Sequence, residues 1–393
     1  MSKAFKIMLG VLTAIGGFVD IGDLVANVAV GARFKLALAW VVVVGVVGIC
    51  VYAEMAGRVA AVSGRAVFDL VRERLGPGAG LANLLASFFI NFLTLTAELA
   101  GVAIAVSLAT SVNYLFLLPV AAFLVWVVIW RLPFEKMENL FGLMGLSLIV
   151  TLFAVVRIGP DWGQVLHGAS HPSIGSKETI FSYAYYGIAL FGAAMTPYEV
   201  FFFSSGAVEE DWDKSDLALE RANVFIGFPL GGVLSIALMV GASLILAPRD
   251  ISVGSLAQVA LPTAAVLGRL GLAVLLLGIF AATFGAALET ALSAGYTVSQ
   301  YLGWQWGKFV KPADAPRFHL VVLLSIAAGM LFAISGVDPV KVTEYSIVLS
   351  AAALPLTYFP ILVIANDRDY MGDEVNGRFA NALAFTYLVI IVV

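Results

Sequence analysis

The chain is a succession of apolar stretches, most about as long as a bilayer is thick, separated by shorter polar ones. Eleven such segments run over residues 7–33, 36–57, 81–110, 114–130, 139–158, 180–205, 222–247, 266–300, 317–336, 343–365 and 380–393. A helix needs about 20 apolar residues to cross a ~30 Å hydrocarbon layer. None of the segments shows the apolar–polar alternation of a barrel strand. The pattern therefore predicts an all-α polytopic membrane protein with about eleven transmembrane helices. The last segment is short for a span, which leaves a twelfth helix open. The opening MSKAFKIMLG does not read as a cleavable signal, because its apolar run continues straight into polar residues at mid-depth.

Composition agrees with the pattern. The chain is 61% hydrophobic and 12% charged, with a mean hydropathy of +0.99. Soluble domains carry roughly 25% charged residues; half of that does not cover a folded surface in water, so lipid must. Cys50 is the single cysteine, which excludes a disulfide framework and a multi-cysteine metal site. The net charge of −4 gives no reason to expect a nucleic-acid partner. With the N-terminus inside, inner polar segments hold fifteen Lys and Arg and outer ones seven. That bias predicts a cytoplasmic N-terminus in the plasma (inner) membrane. No Pro-, Gly- or Ser-rich linker divides the sequence, so residues 1–393 read as one transmembrane domain.

Two segments carry polar residues at mid-depth beside helix breakers: Gly16-Gly17-Phe18-Val19-Asp20-Ile21-Gly22-Asp23 in the first, and Gly192-Ala193-Ala194-Met195-Thr196-Pro197-Tyr198-Glu199 in the sixth. Glycine weakens a helix and proline removes a donor and clashes with the preceding turn. Each segment is expected to unwind there, which is tolerated only against protein or a water-filled cavity. A break opening each of two sets of five segments is the pattern of an inverted repeat with a midplane site. The repeats would cover about 7–158 and about 180–365, with an extra helix from about 380.

Asp20, Asp23 and Glu199 are acids in otherwise apolar segments, and neither break contains a Lys or Arg. A bound cation is their natural partner. Carbonyls freed near Gly17 and Ala193, with the Thr196 hydroxyl, would complete an all-oxygen set suited to a hard ion such as Mg2+, Mn2+ or Ca2+. The competing reading is that the acids merely cap half-helix N-termini, which explains one acid per break more easily than three together. No resident cofactor is implied; the metal would be the substrate. No nucleophile, base and oxyanion set can be assembled from the buried polar residues, so an enzyme is not expected. An amine or amino-acid transporter of the same architecture stays open, although three acids would repel a substrate carboxylate. Nothing requires more than a monomer.

At these residues the sequence resembles the NRAMP family of divalent metal transporters, whose first helix breaks at DPGN and sixth at MPH. The matching strings here are Asp20-Ile21-Gly22-Asp23 and Thr196-Pro197-Tyr198. The resemblance extends over most of the chain, through Ala97-Glu98-x-x-Gly101, Ser293-Ala294-Gly295-Tyr296 and Leu354-Pro355. It implies a LeuT-type 5+5 inverted repeat with broken helices 1 and 6. It also implies a site at Asp20, Asp23, Thr196 and Glu199, with Glu98 and Tyr198 beside it or on the pathway. The departures are specific: Asp23 replaces the motif's asparagine, Thr196 its methionine, and Glu199 stands where the family has asparagine. A soft sulfur lost and two carboxylates gained look like the NRAMP-related magnesium transporters, with Mn2+ also accommodated. Tyr198, Phe203 and Leu95 stand where the family has titratable residues, which implies transport without proton coupling; a proton-coupled Mn2+/Fe2+ symporter remains the alternative.

Other polar residues carry plainer expectations. Glu54 and Glu289 read as structural or vestibule-facing, His319 as interfacial. His167 and His171 read as a solvated outer loop, as do Glu209-Glu210-Asp211, Asp213, Asp367 and Asp369. Phe201-Phe202-Phe203 reads as packing.

Overall fold

Backbone groups inside a bilayer must be satisfied within their own segment, and each apolar run resolves into helix. The computed structural model describes residues 18–132, 134–175 and 178–392. Among these, helices α1 (Ile21–Phe34), α2 (Ala39–Ser63), α3 (Val67–Leu75), α4 (Pro77–Thr110) and α5 (Tyr114–Arg131) are followed by α6 (Phe134–Gly145). A 3₁₀ turn then leads to α7 (Val150–Ile158) and α8 (Trp162–Ser170). The second half contains α9 (Ile180–Ala194), α10 (Pro197–Glu209), α11 (Leu217–Ala222), α12 (Phe228–Ile245), α13 (Leu256–Leu302), α14 (Pro316–Ile334), α15 (Pro339–Ala365), α16 (Arg368–Met371) and α17 (Arg378–Val392). Nine helical stretches among the described residues are long and apolar enough to cross a membrane; α17 is a shorter apolar helix. With α1, the described part of the first segment, they account for all eleven expected segments. Gly17 and the rest of that segment's first half lie outside the described residues.

Several boundaries differ from the hydropathy reading. The eighth segment begins ten residues early, at Leu256, because α13 joins two helices across Gly268, whose φ of 64° breaks the run. No apolar stretch marks α3, which is short and amphipathic, with Arg72 and Arg74 in its last turn. The loop 159–179 contains α8, capped at Asp161, whose side chain accepts from the amides of Gly163 and Gln164. Gly168 is carried inside that helix, which ends before Pro172.

The two breaks are placed by reciprocal packing. The half-helix α1 lies along α12, the second span of the second half; α10 lies along α2, the second span of the first half. The longest helix, α13, packs most extensively on α4, and α15 bridges α4 and α9. Small residues make the close contacts, as in other membrane interiors. A Cβ at Gly31 would collide with the Met239 carbonyl on α12, and one at Gly192 with the Ile347 carbonyl on α15. On the far side α17 is fixed to α2 by two hydroxyls, Tyr52 donating to Ala384 O at 2.8 Å and Tyr387 to Val44 O at 2.7 Å.

Ion pairs tie the two ends. At one, Arg33 meets Glu178 at 2.9 Å, and the guanidinium holds the Glu178 carboxyl below its ordinary range. At the other, Arg58 and Arg221 share Glu54 at 3.0 and 3.3 Å, and Arg74 meets Asp367 at 2.5 Å. Asp367 is thus a buried cap and ion-pair partner rather than a solvated loop acid. Glu209 departs from the loop reading too: it accepts from the Tyr296 hydroxyl at 3.0 Å and from the amides of Lys308 and Phe309.

Gly31→Val forces α1 away from α12. It is expected to cost roughly 1–3 kcal/mol of stability, the usual range for overpacking. Thermal unfolding of the detergent-solubilised protein measures this, with Gly175→Val, where nothing lies within 4 Å of an added Cβ, as the unchanged control.

Candidate metal site at the two helix breaks

The first break ends at Asp20, in extended conformation, and helix resumes at Ile21. A restarting helix presents amides with no acceptor in the preceding turn. Two carboxylates supply acceptors. Asp20 Oδ1 takes the Asp23 amide at 2.8 Å, and Glu98 Oε1, from the middle of α4, takes the Ile21 amide at 3.0 Å. The capping reading therefore holds for Asp20. Asp23 sits in the first turn of α1 with both oxygens engaged: Oδ1 accepts from Asn27 at 2.7 Å, and Oδ2 from Ser235, on α12, at 2.5 Å.

At the second break α9 stops at Ala194, and Met195 and Thr196 are non-helical before Pro197 starts α10. The amide that would reach the Ala193 carbonyl belongs to residue 197, a proline with no N–H. That carbonyl is left without its helical donor. Thr196 does not cap with its side chain; its hydroxyl donates to Glu199 Oε2 at 3.2 Å. The Met195 carbonyl accepts from Tyr358 at 3.2 Å. The Met195 sulfur lies against Gly48 of α2, in a contact shared with the Tyr387 ring of α17.

A direct hydrogen bond joins the two breaks: the Tyr198 hydroxyl donates to Asp20 Oδ2 at 3.2 Å. The Tyr198 carbonyl in turn accepts from Ser293 of α13 at 3.3 Å. One turn before Ser293 is Glu289, buried to 8% exposure, whose Oε2 has no hydrogen-bond partner. Its carboxyl is within Coulombic range of Asp20, Glu98, Glu199 and Tyr198. Glu98 Oε2 is likewise buried without a partner.

The structure places Asp20, Asp23, Glu98, Thr196, Tyr198 and Glu199 around the two breaks, with Glu289, Ser235 and Asn27 beside them. The four acids Asp20, Asp23, Glu98 and Glu199 are at most 5% exposed. Among the described residues no Lys or Arg forms an ion pair with any of the five carboxyls. Nor do three His, Cys, Asp or Glu side chains converge as a closed ligand shell; Asp23 is occupied by Ser235 and Asn27. The arrangement offers oxygen, negative charge and no sulfur. A signal for Glu289 was present in the sequence, as the acid one turn ahead of the Ser293-Ala294-Gly295-Tyr296 stretch.

Elsewhere, Glu54 is structural through its two arginines, and His319 Nε2 bonds the Val310 carbonyl at 2.8 Å near the start of α14. His167 and His171 face each other, contrary to the loop reading, because α8 sets them one turn apart; their rings stack at 4.4 Å. Phe201 and Phe203 pack edge-on to Phe68 and Trp212.

Residues 10–393 match the Nramp family, described as natural resistance-associated macrophage protein-like. The divalent metal cation transporter MntH of Levilactobacillus brevis is 24% identical over 401 residues, covering 98% of this chain and 86% of the relative. MntH 1 of Pseudomonas aeruginosa is 27% identical over 402 residues, covering 96% and 87%. A crystal structure of the Eremococcus coleocola manganese transporter, in complex with an aromatic bis-isothiourea compound, superposes with a TM-score of 0.73 at 18% identity, over 100% of this chain and 86% of that one. Mhp1, a nucleobase-cation-symport-1 family transporter in a closed conformation, gives 0.58 at 16% identity, over 98% and 88%. These neighbours share the LeuT-type architecture of two halves with broken first and sixth helices. The chain belongs to the Nramp family and is an integral membrane transporter, not an enzyme.

Proposed function

We propose that this protein imports a divalent metal ion, Mg2+ and/or Mn2+, by alternating access and without a coupled proton. The observation that carries the reading is the set of buried carboxyls around two helix breaks with no basic residue among them. A divalent cation would offset charge that the protein leaves unbalanced. The turning of the Met195 sulfur toward Gly48 and Tyr387 favours a hard ion. So does Thr196, a hydroxyl where a soft ligand would select transition metals. The proposed ligands are Asp20, Asp23, Thr196, Glu199 and the carbonyls of Ala193 and Gly17, with retained waters, since Mg2+ dehydrates reluctantly. Asp23 would exchange Ser235 for the ion. Tyr198 and Glu98 hold the two breaks in register beside it.

The site belongs to a single domain whose two repeats, about 7–158 and 180–365, rock against each other, with the N-terminus cytoplasmic in the plasma membrane. A monomer suffices. A charge of +2 entering down a 100 mV potential gains about 4.6 kcal/mol, enough to drive accumulation unaided. The second reading is a proton-coupled Mn2+ or Fe2+ symporter. Its support is the similarity, over nearly the whole chain, to relatives named divalent metal cation transporters.

Uptake into proteoliposomes under an imposed inside-negative potential separates the readings. Mg2+ and Mn2+ should both enter, with no acidification of the lumen, and Asp20→Ala should lower uptake by about tenfold or more. Mn2+ entry accompanied by protons, with no Mg2+ entry, would establish the symporter instead. Thr196→Met places sulfur in the site and is expected to lower Mg2+ uptake several-fold more than Mn2+ uptake, as read from competition between the two ions.

A further inference from the structure

We propose that Glu289 is a selectivity residue of this transporter, acting on the water shell of the bound ion rather than on the ion itself. The inference rests on the divalent-ion reading above and assigns a role to a side chain on a helix that belongs to neither break. Three observations support it. Glu289 is buried at 8% exposure with Oε2 unpartnered. It is one helical turn from Ser293, whose hydroxyl holds the Tyr198 carbonyl in the first turn of α10. Residues four apart share a helix face, so Glu289 is on the face that α13 turns to the second break. Finally, it lies in the field of Asp20 and adds to the field on Glu98 and Glu199, three carboxyls that belong to three different helices, α1, α4 and α10.

A buried acceptor without a donor is costly to leave unmade. Glu98, which shares that condition at Oε2, spends its other oxygen on the Ile21 amide; Glu289 has no such structural duty. Ordinary packing therefore gives no reason for an acid at this position. A water held by a cation supplies the missing donor: its protons point outward, are acidified by the ion, and meet a carboxylate as a charge-assisted hydrogen bond. The stronger the ion's hold on its water, the more such an outer acceptor contributes. Glu289 would thus favour Mg2+, which keeps several waters, over Mn2+, which exchanges them for protein ligands more readily.

The test is the concentration dependence of Mg2+ and Mn2+ uptake for wild type, Glu289→Gln and Glu289→Asp in proteoliposomes. Glu289→Gln keeps the shape and removes the charge; KM for Mg2+ should rise about tenfold and KM for Mn2+ clearly less, with the maximal rate changed little. Glu289→Asp keeps the charge and should preserve the wild-type preference even if both KM values move. Equal changes for the two ions in both variants, or no change in either, would overturn the proposal and leave Glu289 a packing residue. If Glu289→Gln does not fold, the aspartate variant decides: a preserved ion preference supports the proposal, and a lost one overturns it. Failure of the wild-type protein to move any divalent ion would strike at the transport reading instead.

Discussion

Asp20, Asp23, Glu98, Glu199 and Glu289 are packed into the interior of a membrane protein, where even a single carboxylate costs about 2.5–3.5 kcal/mol on the lenient insertion scale. The fold meets part of that cost locally. Asp20 and Glu98 accept the amides of the restarting α1, and Asp23 takes donors from Asn27 and Ser235. What remains is a group of carboxyls with no basic partner among the described ion pairs, in which Arg58 and Arg221 go to Glu54, Arg74 to Asp367 and Arg33 to Glu178. Capping and the proposed cation binding would thus be consecutive uses of the same carboxylates. The amides of the restarting helix hold Asp20 and Glu98 in place.

The two breaks are also joined to each other and to the rest of the bundle by few, directional contacts. The Tyr198 hydroxyl reaches Asp20 across the gap; Glu98 reaches Ile21 from α4; Ser293 reaches the Tyr198 carbonyl from α13; Tyr358 reaches the Met195 carbonyl from α15. Each bond runs from a continuous helix, or from the opposite break, to backbone or acid that a broken helix has exposed. The long helices α4 and α15, and α13 beyond its kink at Gly268, therefore serve as the frame, and the broken helices as what the frame holds. Hydrogen bonds of 3.0–3.3 Å can be remade with modest net change, each contributing about 0.5–1.5 kcal/mol.

Much of this was legible in the sequence for a physical reason. Apolar length fixes which segments span, and Gly-Asp and Thr-Pro strings at mid-depth cannot continue a helix, so spans and breaks declare themselves locally. The cluster of Asp20, Thr196, Tyr198 and Glu199 followed from the same strings. The remainder depends on which helices meet. Ser235 reaches Asp23 only because α12 lies along α1, while Asn27 reaches it from one turn further on in α1 itself. Glu289 reads as structural because its one signal, the Ser293-Ala294-Gly295-Tyr296 stretch a turn further on, does not say which helix that face meets. Glu209 and Asp367 lie in acidic runs that resemble solvated loops, and only tertiary contact turns them into acceptors. In α8 the glycine and nearby proline argued for a loop, but an aspartate cap and one clear helical turn outweighed them, and the two histidines were brought face to face.

Ile347, on α15, is approached from two sides: its methyl by Gly22, just past the first break, and its carbonyl by Gly192, just ahead of the second. Neither glycine leaves room for a side chain. A smooth bearing shared by both interrupted helices means that neither can slide without pressing on the same fixed point. Both interrupted helices thus meet one residue that carries no charge. Side chains around the breaks are correspondingly freer to change than these two bare positions, where any added carbon runs into Ile347.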